Sequence, residues 1–176
     1  MDGSSFNKYQ QHAPPSRLPP GTVSYYTYGD GDARKIGKPP PPAGYGVMAL
    51  TGGVGHDHAG GHHILSLGGQ IVAGITPRVR TTTVNLGHLM AFIRALEWAL
   101  IDPETRGRPV CIRYESEYAA NVCTGVWRAK KHREVAAYGR SLWAQLKRAL
   151  GGKLSYGCST RDAPASATVS QNGLGL

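Results

Sequence analysis

Residues 81–122 read TTTVNLGHLMAFIRALEWALIDPETRGRPVCIRYESEYAANV. Leu86, Leu89, Met90, Ile93, Leu96 and Leu100 recur at intervals of three and four, so they share one face of a long helix. Asn85 stands where a side chain can cap that helix, and Asp102-Pro103 marks its end. The next apolar run, PVCIRYE, is short enough for a buried strand. SEYAANVCTGVW returns to helical spacing, with Ser116 as a candidate cap.

Upstream, TVSYYTY (Thr22–Tyr28) is β-branched and aromatic and reads as a strand that stops at the glycines of GDGD. After the Pro-stiffened loop ARKIGKPPPPAG, YGVMALT resumes strand character up to Gly52-Gly53. HILSLGGQIVAGIT reads as one long strand with a bulge at Gly68-Gly69. Three strands joined by loops make an antiparallel meander. Downstream, WRAKKHREV is a basic connection into a second long helix that carries Val135, Leu142, Leu146 and Leu150 on one face, and KLSYGC is a last strand. The strand and helix alternation adds parallel strands to the meander. The expected fold is an α/β mixed five-stranded sheet with helices on its faces, KLSYGC outermost and PVCIRYE beside the first strand.

The expected organisation is a disordered or extended Pro-rich arm over residues 1–20, one domain over 21–158 and a weakly structured tail over 159–176. Lys and Arg outnumber Asp and Glu by 20 to 11. Seven of those cations, Arg128, Lys130, Lys131, Arg133, Arg140, Lys147 and Arg148, crowd into one short stretch. Such a patch suits a polyanionic partner, and equally a solvated charged surface. Cys111, Cys123 and Cys158 are few and set in apolar surroundings, which suits buried thiols in a reducing, intracellular compartment. The chain shows no signal-peptide core and no apolar run of membrane-spanning length, so no membrane partner is expected.

The order of YYTYGDGD, AGYGV, TTTVNLGHLMAFIRALEWAL, IRYESEYAANV and RSLWAQLKRALGGKLSY resembles type 1 ribonuclease H, from about Val23 to Tyr156. The resemblance implies an RNase H-like fold and a partner that is RNA or an RNA/DNA hybrid. In the family two divalent ions, held by four carboxylates, cut the RNA strand. At the first of those positions this chain has Tyr28, within Thr27-Tyr28-Gly29. His88 stands at the second, Glu115 at the third. After Asp162 there is no Asp or Glu to fill the fourth, and the family's loop histidine has Thr160 or Arg161 in register. Hard cations need oxygen ligands, and a metal pair needs several carboxylates at once. Glu115 is thus the one family carboxylate retained, and no resident metal is expected. Asp30 would join the site only if the strand ran on through Gly29, where a turn is expected instead.

By the same resemblance Asn85 and Ser116 match hybrid-contacting positions, each with helix capping as the plainer account. Trp127, Arg128, Lys130, Lys131 and Arg133 match the region that grips substrate. The alternative for Trp127 is core packing, with the cations as a solvated run. His56, His58, His62 and His63 could bind a transition metal with Asp57, though their spacing matches no zinc pattern and a polar loop tip is the plainer account, and Pro39–Pro42 read as a stiff loop or a docking segment. Three functions stay open. The leading one is a catalytically inactive domain that binds or scaffolds nucleic acid, with other proteins, inside a ribonucleoprotein assembly. The second is an RNase H with an atypical site, using Asp30, Glu115 and His88 with Mg²⁺ or Mn²⁺. The third is a protein-interaction module on the same fold.

Overall fold

A computed structural model describes residues 18–31, 42–51 and 62–158. Its sheet is built from β1 (Val23–Gly31), β2 (Ala43–Thr51), β3 (His62–Ile71), β4 (Val110–Tyr114) and β5 (Leu154–Cys158). The strand order is β3-β2-β1-β4-β5. β1, β2 and β3 pair antiparallel, while β4 lies parallel to both β1 and β5. This is the expected mixed sheet, with PVCIRYE beside the first strand and KLSYGC at the edge.

Helix α1 (Val84–Ile101) lies across β1, β2 and β4, and α2 (Glu117–Thr124) and α3 (Arg133–Leu150) pack on it. α1 is long and apolar enough to cross a membrane, contrary to the reading of the sequence. Its composition has a nearer cause, because Leu86, Leu89, Phe92, Ile93 and Leu96 are buried against the sheet and the other two helices. Side chains alternate across a strand. Val23 and Tyr25 accordingly join that main core, whereas Tyr26 and Tyr28 pack with Met48 and Leu50 in a second cluster on the other face. The Tyr25 hydroxyl donates to buried Asp102 at 2.9 Å, which ties the start of β1 to the end of α1.

Four local expectations are corrected. First, β1 does not stop at Gly29 but runs through Asp30 to Gly31. The glycines there serve close approach rather than a turn: a Cβ on Gly29 would lie 2.2 Å from the His88 backbone nitrogen, and one on Gly87 would lie 2.5 Å from the Asp30 carbonyl oxygen. Second, α1 starts at Val84 with Thr83 in the cap position, so Asn85 is not the cap. Thr83 forms no side-chain cap bond either, since its hydroxyl meets His132 Nε2 at 2.9 Å.

Third, the irregularity in the β2–β3 ladder falls at Ala49/Leu50, where Ala49 faces Leu65 and Leu50 faces His63. Gly68 and Gly69 pair regularly, and β3 ends at Ile71. Gly69 is needed because the Tyr45 ring covers it, within about 3 Å of where a Cβ would stand. Fourth, α2 ends at Thr124, because Gly125 takes a left-handed conformation (φ 87°) that stops the helix. That leaves Val126 and Trp127 outside it and exposed.

Cys111, Cys123 and Cys158 are free, the first two buried, and burial pushes the Cys123 thiol up to about 12. The expected arm over residues 1–17, most of the Pro-rich loop, the loop residues His56, Asp57 and His58, and the tail from Ser159 lie outside the described residues.

Candidate functional site

The two glycine contacts press the first turn of α1 onto the end of β1, which brings His88 down beside the strand. The parallel register pairs Thr27 with Tyr114, so the next residues along, Tyr28 and Glu115, emerge side by side. Glu115 Oε2 accepts the Gly29 N–H at 3.2 Å and lies 3.4 Å from His88 Nδ1. The His88 imidazole holds the Glu115 carboxyl below the usual carboxylate range, with the Gly29 amide in support and burial in opposition. Burial, together with the Glu115 charge, pushes the Tyr28 phenol up to about 12.

Asp30 shares the face of Tyr28 by strand alternation, but it is exposed and accepts the Gly31 N–H at 2.7 Å. This pocket therefore offers one carboxylate, one imidazole and one phenol. Among the described residues no three His, Cys, Asp or Glu side chains come together. A pair of hard divalent ions needs more oxygen ligands than this, so the donor set does not fit the family's two-metal centre.

One turn before His88, the start of α1 borders a groove of about 620 Å³. It is lined by Thr83 and Asn85 at the start of α1, by Tyr118 of α2, and by Val126, Trp127, Arg128, Lys130, Lys131 and His132 of the basic connection. Five residues singled out in the sequence, Asn85, Trp127, Arg128, Lys130 and Lys131, thus share one cavity. Trp127 is 41 % exposed, which removes the core-packing account of it. A second groove of about 530 Å³ lies against the first, sharing Thr83, Lys130, Lys131 and His132 and adding Arg78, Arg80 and Arg133. Ser116 lies outside both. It caps α2, accepting the Ala119 N–H at 3.5 Å.

The sequence reading missed Arg78, Arg80, Thr83, Tyr118 and His132. Arg78 and Arg80 stand far from the basic run in sequence, and only the packing of the segment before α1 against the start of α3, with Arg80 paired to Glu134, brings them there. His132 directly follows Lys130-Lys131, and that proximity was the one available signal.

No family model matches the sequence, and no curated protein does either. Solved structures decide the fold. The ribonuclease H1 isolated from compost by a metagenomic approach aligns over 83 % of this chain and 86 % of its own, at 22 % identity and TM-score 0.52. This chain has the ribonuclease H fold. The same compost ribonuclease H1, solved in complex with an RNA/DNA hybrid, aligns over 82 % of this chain and 86 % of its own, at 23 % identity and TM-score 0.50. The protease-reverse transcriptase of prototype foamy virus aligns at 15 % identity and TM-score 0.58, over 94 % of this chain and 21 % of its own. In ribonuclease H terms, Tyr28, His88 and Glu115 lie near the ends of the two central parallel strands, and the first groove begins at Asn85, three residues before His88.

Proposed function

We propose that this chain is a nucleic-acid-binding domain of ribonuclease H fold that holds an RNA duplex or RNA/DNA hybrid without cutting it, as a subunit of a ribonucleoprotein assembly in a reducing intracellular compartment. The observation that carries the reading is the groove that gathers Asn85, Trp127, Arg128, Lys130 and Lys131. Cations placed around a trough suit a phosphate backbone, and a flat exposed indole beside them suits a sugar or base. A hybrid-bound relative of the same fold supports the choice of partner. The carboxylate-poor pocket next to the groove supports binding without two-metal cleavage.

A second reading keeps catalysis. It draws on β1 running through Asp30, on the face that Tyr28 shares near Glu115. One experiment separates the two: a labelled hybrid is incubated with the chain in EDTA, in Mg²⁺ and in Mn²⁺, with binding and product followed together. Binding that persists in EDTA with no product in either metal is the expected result. Metal-dependent product that vanishes in Glu115→Ala overturns the first reading in favour of the second.

A further inference from the structure

His132 forms part of the wall between the two grooves and contributes to both. Among the described residues it is one of two non-glycine residues with positive φ, at 53° and ψ 40°, in the cap position of α3. A bulky side chain keeps such a backbone only where its surroundings hold it. Here its Nε2 meets the Thr83 hydroxyl at 2.9 Å, which pins the basic connection to the segment before α1. The ring is thus fixed at the junction where both grooves meet.

Charged groups from the basic connection, from α3 and from the segment before α1 face this junction. Arg128, Lys130 and Lys131 come from the connection, and Arg133 and Glu134 from α3. Arg78 and Arg80 come from the segment before α1, with Arg80 already paired to Glu134. Asn85 of α1 and Tyr118 of α2 bring no charge near neutral pH. Burial, and then the charge of Lys131, hold the imidazole below its ordinary value in the free chain.

The Thr83 hydroxyl can donate to a neutral Nε2 or accept from a protonated one. The tie therefore survives protonation, and what changes is one added positive charge and a second ring N–H donor. We infer that His132 makes binding at these grooves proton-linked, the chain taking up a proton at His132 when a phosphodiester backbone lies along the shared wall. This rests on the nucleic-acid reading of the grooves and names how that site is regulated. Phosphates near the ring favour its charged form, and by linkage the protonated chain binds the polyanion more tightly. Affinity rises as pH falls. The phosphodiesters do not titrate in this range, so the change belongs to the protein.

The test is the dissociation constant of a fluorescent RNA duplex, measured by anisotropy at constant ionic strength between about pH 5.5 and 8, where histidine titrates. If binding raises the His132 pKa by about one unit, wild-type affinity gains about tenfold toward the acid end. His132→Asn, which tolerates the left-handed backbone, is expected to lose most of the slope, whatever its affinity at the alkaline end. In parallel, proton NMR of the His132 ring, with and without saturating duplex, is expected to show its titration moving to higher pH. Equal slopes in wild type and variant, or an unmoved His132 titration under saturation, overturn the inference alone. Absence of binding at every pH removes the nucleic-acid reading as well.

Discussion

The Gly29 backbone amide donates to the Glu115 carboxylate at 3.2 Å, which places the last part of β1 and the residue after β4 in direct contact. Glu115 also faces His88 at 3.4 Å, and its side chain is 39 % exposed. Its folded pKa lies below the unfolded one, so the stability it adds is full above about pH 4.3, the ordinary value for Glu. That stability is lost as pH falls through the lowered folded value. Wild type should lose stability over this acid range and Glu115→Gln should lose less, as read from denaturant midpoints at a series of pH values. At neutral pH, Glu115→Ala should cost at most about 1 kcal/mol, because exposed ion pairs are weak.

Hybrid cleavage in Mg²⁺ should stay at background for wild type. Changing Tyr28→Asp and His88→Glu together adds two carboxylates beside Glu115 and should create a divalent-cation site detectable by calorimetry. A double variant that stays folded and shows no heat of binding would mean that these three positions do not converge on one ion.

Gly29→Ala should destabilise by about 3 kcal/mol or more, since the new methyl would meet backbone that cannot move aside. Gly152→Ala supplies the contrast, because nothing lies within 4 Å of a Cβ there. Thermal melts of the two variants side by side check this. Similar melting temperatures would show that the α1 to β1 contact is looser than described.

Replacing Arg128, Lys130, Lys131 and Arg133 with Ala should flatten the salt dependence of duplex binding by roughly three units of slope, at about 0.7 to 0.9 per phosphate contact. Base preference should hardly change, because phosphate contacts position without specifying. An unaltered slope would favour the protein-interaction reading.

Trp127→Ala should weaken duplex binding by about 1 kcal/mol or more and leave the melting temperature nearly unchanged, because the ring is 41 % exposed and helix α2 has already ended. Anisotropy titrations and thermal melts on the same preparation separate the two effects. A large drop in melting temperature would return Trp127 to a structural role.

The sequence by itself determined the order of the elements and the class of sheet. Leu86, Leu89, Met90, Ile93 and Leu96 recur with helical period, PVCIRYE and KLSYGC are short apolar runs, and such patterns report which face of each element is buried. What local pattern could not supply was anything set by contact across the chain. Gly29 looks like a turn until His88 is seen against it, and Asn85 looks like a cap until Thr83 takes that position. Gly68 and Gly69 look like a bulge until Tyr45 covers Gly69. Only the tertiary structure decided that Thr83, Asn85, Tyr118, Trp127 and His132 line one groove. Residues that distant in sequence meet only because α1 lies on the sheet with α2 and α3 packed against it, and no periodicity along the chain encodes that distance.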